Sequence, residues 1–120
     1  MVTKIDHLAF RVSDIDKTYD LLKQLGYVVV RRTDHHGGAL EVESPEQPGL
    51  VLEFTMLRQE KNEVPGFDHA CFSLKDEAEL QGLVEAGFPV TGKLHLVPGS
   101  GRMTESWKDN DGTKWQFVLN

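Results

Sequence analysis

Hydrophobic and polar positions alternate with period two through Lys4 to Val12, which sends Leu8, Phe10 and Val12 to one face of a strand and His7, Ala9 and Arg11 to the other. The period then changes to that of a helix. Ser13 and Asp16 form a capping pattern, Ile15, Tyr19, Leu22 and Leu25 follow at helical spacing, and Gly26 supplies a stop. Tyr27 to Arg32, Ala39 to Glu43 and Leu50 to Met56 read as three further strands, punctuated by Gly37-Gly38 and by the turn Pro45 to Gly49. In the last of them Leu50, Leu52, Phe54 and Met56 share one face, leaving Val51, Glu53 and Thr55 on the other.

After a polar stretch without a period, Leu57 to Pro65, the pattern restarts. Phe67 to Leu74 puts Ala70, Phe72 and Leu74 on one face and His69, Cys71 and Ser73 on the other. Asp76 can cap a second helix with Leu80, Leu83 and Val84 on its apolar stripe, ending at Gly87. Val90 to Val97, Arg102 to Trp107 and Thr113 to Leu119 supply three more strands. The opening residues repeat almost literally, since Ile5-Asp6-His7-Leu8-Ala9-Phe10 is answered by Phe67-Asp68-His69-Ala70-Cys71-Phe72. The chain is therefore expected to be an α+β fold in which two βαβββ repeats form a curved mixed, mostly antiparallel sheet with the helices on its convex side. The repeats run from about 1 to 57 and 66 to 120 within a single domain, joined by a linker at 58–65.

Composition narrows the partners. The 120 residues carry 13 basic and 19 acidic side chains with no basic cluster, which argues against nucleic acid, and no apolar run is long enough to span a bilayer. The single cysteine, Cys71, cannot form an internal disulfide, and the N-terminal residues lack the apolar core of a secretory signal, so the expected location is the cytoplasm. A small-molecule substrate is the expected partner.

The face turned away from the helices carries the chemistry. Its polar residues in the first and last strands of each repeat are His7, Glu53, His69 and Gln116, and a pseudo-twofold axis relating the repeats would gather them at one point. Two imidazoles, a carboxylate and an amide suit a divalent first-row ion, and ligand type leaves Ni, Co, Zn, Fe and Mn open. Arg102, beside the glycine-rich Pro98 to Gly101, would face an anionic substrate from the cleft rim. His35 and His36 fall in a Gly-bounded turn and are expected to be exposed.

The repeated unit, the opening Ile5 to Val12, the segment Leu52-Glu53-Phe54 and the closing Asp109-Asn110-Asp111-Gly112-Thr113-Lys114-Trp115-Gln116-Phe117 resemble the vicinal oxygen chelate superfamily. Glyoxalase I, methylmalonyl-CoA epimerase, extradiol dioxygenases and the fosfomycin and bleomycin resistance proteins belong to it. The resemblance implies the fold above, His7, Glu53, His69 and Gln116 as metal ligands, and a homodimer. It is closest to glyoxalase I, a lactoylglutathione lyase, in which Arg11 would answer to the partner of a glutathione carboxylate. Two positions depart from that pattern: Gln116 stands where glyoxalase I has a glutamate, and Leu57 where it has an asparagine that helps to bind glutathione.

The implied function is a metal-dependent enzyme acting on a small substrate with neighbouring oxygens and moving a proton next to a carbonyl. Glu53 would be the base, because Gln116 has no titratable group and the histidines are expected on the metal. The alternatives are a non-catalytic binding protein of the bleomycin-resistance type, an isomerase like methylmalonyl-CoA epimerase, and an extradiol dioxygenase.

Overall fold

A computed structural model describes residues 3–119. Eight strands and two helices follow in the order β1 (Ile5–Val12), α1 (Ile15–Gln24), β2 (Val28–Thr33), β3 (Ala39–Glu43), β4 (Val51–Met56), β5 (Gly66–Leu74), α2 (Glu77–Glu85), β6 (His95–Leu96), β7 (Met103–Lys108) and β8 (Lys114–Leu119). They build one curled mixed sheet in the order β2-β3-β4-β1-β5-β8-β7-β6. The two repeats are legible in it as mirrored halves that meet at the antiparallel pair β1–β5, with β1–β4 and β5–β8 as the parallel pairs.

Each helix covers the outer face of its own half. Ile15, Tyr19 and Leu22 of α1 pack on Phe10, Leu40, Val42, Leu52 and Phe54, while Leu80 and Leu83 of α2 pack on Leu74, Phe117, Phe72 and Trp107. These are the residues whose alternation defined the apolar faces, so burial of the stripe fixes strand register. Both helices start on an aspartate whose carboxylate accepts a backbone N–H: Asp14 from Lys17 and Asp76 from Glu79, each at 3.0 Å. Asp14, not Ser13, is thus the cap of α1, because its extended backbone (φ −153°) leaves the side chain facing the first turn.

One expectation is corrected. The strand foreseen over Val90 to Val97 shrinks to His95–Leu96. Gly92 turns with φ +87°, and the buried Glu105 carboxylate takes the N–H groups of Thr91 (2.6 Å) and Gly92 (2.9 Å), so a side chain satisfies what a ladder would otherwise have paired. The segment 58–65 is more ordered than its composition implies. A short 3-10 turn, Gln59–Lys61, is clamped by Glu63, whose carboxylate accepts from the backbone N–H (2.7 Å) and the guanidinium Nη2 (2.8 Å) of Arg58. Among the described residues no helix is long and apolar enough to cross a membrane.

Candidate metal centre

The site lies at the seam between the halves, on the inner face. His7 and His69 come from the central pair β1–β5, where Ala9 stands opposite His69 and His7 opposite Cys71, and their ring centroids are 5.7 Å apart. Glu53 comes from β4, next to β1, with Ala9 as its register partner. The donor atoms of His7, Glu53 and His69 all lie within 4.8 Å of one another, and the three residues are between 2% and 5% exposed.

What aims the two imidazoles is a pair of register shifts. The β1–β5 register shifts once between Ile5 and His7, where Asp6 lies, and once between Ala9 and Phe10, opposite the place of Asp68. A residue at such a shift escapes strict alternation. Both aspartates use that freedom identically: Asp6 Oδ2 lies 2.8 Å from Nδ1 of His7, and Asp68 Oδ2 lies 2.5 Å from Nδ1 of His69. Each carboxylate holds the proton on Nδ1 and leaves Nε2 as a lone-pair donor, which is how metal-binding histidines are oriented. Nε2 of His69 is buried without a hydrogen-bond partner, and Nε2 of His7 stands 4.0 Å from Glu53 Oε1. A buried imidazole nitrogen with nothing to accept from is costly unless something electrophilic occupies the space before it. Two borderline nitrogens and a hard oxygen are a donor set for a divalent first-row ion, so these residues fit such a group.

Burial lowers the pKa of His69, against the raising effect of its bond to Asp68. That same bond to His69, with Lys114 and Arg11 nearby, holds the Asp68 carboxyl well below the ordinary range despite its burial. Cys71, beside His7, is fully buried and its pKa is pushed upward by desolvation, which keeps it a neutral thiol.

Gln116 lines the same small cavity as His7, His69 and Glu53, its amide Nε2 3.4 Å from the Ser106 hydroxyl. Arg102 also lines it, with a charge already engaged: Nη1 and Nη2 donate to the two oxygens of Glu41 at 2.8 and 2.6 Å, and Nη1 reaches Glu53 Oε2 at 3.3 Å. Although desolvation alone would lower it, the carboxylates hold the pKa of Arg102 above its ordinary value. Arg11 does not reach the cavity. It is buried on β1, where its guanidinium bonds the Thr55 hydroxyl and pairs with Glu63 at 3.3 Å and Asp68 at 3.6 Å.

Sequence reasoning passed over four contributors. Asp6 and Asp68 were visible as identical members of the repeat, but strict alternation turns them away from the histidines, and only the register shifts bring them back. Glu41 stands directly opposite Glu53 in β3–β4, a pairing no local pattern announces. His35, expected in an exposed turn, instead lines the cavity. The segment Val97 to Arg102 of the second half crosses the site, contributes Val97, Ser100 and Arg102 to the cavity wall, and brings Gly99 against the turn that carries His35.

The fold and this site define a class. The chain belongs to the glyoxalase/bleomycin resistance protein/dioxygenase superfamily, whose model matches residues 4–117. Among solved structures it is similar to a hypothetical protein from Bacillus halodurans C-125, with TM-score 0.80 and 15% identity over 100% of this chain and 96% of that one. It is similar also to methylmalonyl-CoA epimerase from Mycobacterium tuberculosis (0.76, 16%, 96% and 86%) and to the 2,3-dioxygenase LapB from Pseudomonas sp. KL28 (0.66, 14%, 98% and 42%). At such identities the likeness concerns the fold. No curated protein is similar enough in sequence to count as a relative.

Proposed function

We propose that this chain is a metal-dependent enzyme of the glyoxalase type, a lyase or isomerase that moves a proton on the carbon next to a carbonyl of a small substrate with neighbouring oxygens. The observation that carries the reading is the convergence of His7, Glu53 and His69 with both Nδ1 atoms tied to carboxylates and the Nε2 of His69 left buried and unpartnered. A divalent ion held by these three residues, with Gln116 as a weak fourth ligand, would supply Lewis-acid stabilisation of the charge that develops on the carbonyl oxygen.

The remaining work falls to the chain. Asp6 and Asp68 fix the rings. Arg102 holds Glu53 by one oxygen, Oε2, while Oε1 faces His7, so the carboxylate is placed before substrate arrives. Glu53 takes the proton from the carbon, and the C–H electron pair delocalises toward the carbonyl oxygen; the same carboxyl then returns a proton to carbon. To reach the carbon, the carboxylate has to turn from the Arg102 guanidinium that holds its Oε2, so its movement belongs to the reaction.

The test has two stages. Purified protein is assayed for bound Ni, Co, Zn, Fe and Mn, and the metal-loaded protein is incubated in deuterated water with the methylglyoxal–glutathione adduct and, separately, with methylmalonyl-CoA. Metal-dependent deuterium incorporation supports the reading. Protein that takes up none of these ions is outside it, and protein that binds metal and ligand without exchange is a sequestering member of the superfamily.

A further inference from the structure

Beside the carbon-bound proton that Glu53 takes and returns, a substrate hydroxyl proton has to move from one oxygen to its neighbour, and that second proton needs a carrier of its own. Every other titratable group of the cavity wall is committed, with a single exception. His7 and His69 have Nδ1 held by aspartate and Nε2 turned toward the ion site. Glu41, beside the cavity, is gripped at both oxygens by Arg102, and Arg102 is the cation in that pair. Gln116, Ser100 and Thr104 do not titrate. His35 lines the same cavity and, among the described residues, has no hydrogen bond from its ring to His7, Glu53 or His69. Nor does it join the group whose donor atoms converge within 4.8 Å, so it stands outside ligating reach.

The surroundings of His35 hold it in place. Its backbone N–H donates to the Thr33 hydroxyl at 3.3 Å and its carbonyl accepts from Gly38 at 3.0 Å. Gly99 of the crossing segment lies so close that a Cβ there would stand 2.8 Å from the backbone of Asp34 and His35. Behind it lies the His36 ring, its centroid 3.7 Å away and its plane tilted by 34°, on a left-handed backbone with φ 51°. His36 is fixed in turn by Arg58, whose Nη1 lies 3.3 Å from its Nδ1, and Arg58 is fixed by Glu63. A left-handed His36 held by Arg58 and Glu63 is an expensive arrangement for an exposed turn and a reasonable one for the support of a working side chain at His35.

We propose that His35 is the second proton-carrying residue of the site, contacting the substrate from the Thr33–Gly38 turn while Glu53 contacts it from the sheet. It rests on the enzymatic reading above. While Glu53 takes the C–H proton and returns a proton to the neighbouring carbon, neutral His35 accepts the proton of a substrate hydroxyl as that oxygen becomes a carbonyl and gives it to the neighbouring oxygen, so both residues end the cycle as they began. Burial lowers the His35 pKa, with Glu53 on β4 and the Pro98 carbonyl raising it and Arg11 on β1 and Arg58 of the linker lowering it, which keeps the ring neutral and able to accept.

The experiment uses cobalt-loaded full-length protein and acetohydroxamate, a two-oxygen chelator shaped like the enediolate of a dicarbonyl. Cobalt uptake and hydroxamate affinity are read from the visible absorption of wild type, His35→Ala and His35→Gln. The expected result is cobalt affinity within about threefold of wild type in both variants and hydroxamate binding weakened about tenfold in His35→Ala, the worth of one hydrogen bond, with His35→Gln in between. Deuterium exchange into the substrate falls about a hundredfold or more in both, since glutamine can bond but cannot carry the proton. Wild-type hydroxamate affinity in His35→Ala, or wild-type exchange in either variant, overturns the proposal, as does loss of cobalt from His35→Ala, which would make the ring a ligand. Wild-type protein that binds neither cobalt nor hydroxamate overturns the enzymatic reading first and this one with it.

Discussion

Glu53 carries two demands that pull against each other, since a ligand must give up its lone pair and a base must keep one. Replacement by glutamine preserves shape and an oxygen ligand but removes the proton acceptor. Glu53→Gln is expected to lower exchange by about a hundredfold to ten-thousandfold, measured by deuterium incorporation, with metal still detectable by mass spectrometry. At His36 the expectation concerns stability. Desolvation, with His35 and Arg58 adding to it, depresses its pKa to about 4 from 6.5, so between those values the unfolded chain binds more protons than the folded one. Stability from this residue is intact above pH 6.5 and is lost progressively as pH falls toward 4. Urea midpoints measured across that window should fall more steeply for wild type than for His36→Gln. These residues differ in how far the sequence disclosed them. His7, His69 and Glu53 could be placed because parity along a strand is a local property. Glu41 and His35 could not, because their roles come from a register partner and from a loop some sixty residues away in sequence.

At the level of elements, the strands and helices were legible wherever burial and periodicity agree, as in α1, β1 and β5. They were misread where a side chain replaces a backbone partner, as Glu105 does for Thr91 and Gly92. The segment Val97 to Arg102 shows the same limit. It reads as a loop, but it forms one wall of the cavity: Arg31 donates to the Ser100 carbonyl, Arg102 grips Glu41 and Glu53, and Gly99 abuts the turn of His35. Gly99 combines φ +83° with backbone atoms 2.8 Å from where a Cβ would sit. Gly99→Ala is therefore expected to destabilise the fold by about 1–3 kcal/mol in chemical denaturation. The same variant should weaken acetohydroxamate binding through displaced His35 while leaving cobalt uptake intact.

For the whole molecule, the sheet order leaves two edges, and they are unequal. β6 is two residues long, whereas β2 spans six and exposes Val28, Val29 and Val30. A long apolar edge strand invites pairing, which Arg31 and Arg32 only partly discourage. We expect a homodimer at micromolar concentration, seen in light scattering as twice the 13.5 kDa of one chain; a monomer at high concentration would refute it.

The seam itself has a further consequence. Because His7 and Glu53 belong to one half and His69 to the other, an ion bound by all three is a non-covalent cross-link between the two repeats, closing a loop of chain that includes α1, β2, β3 and the linker. Its binding energy is available to the folded state alone, so occupancy and resistance to unfolding become one quantity measured two ways. Each tenfold rise in free ion above its dissociation constant should add about 1.4 kcal/mol to the unfolding free energy, and the melting temperature should climb without a plateau as metal is titrated in. His69→Ala, in which the first half still offers two donors, should melt at a temperature indifferent to metal.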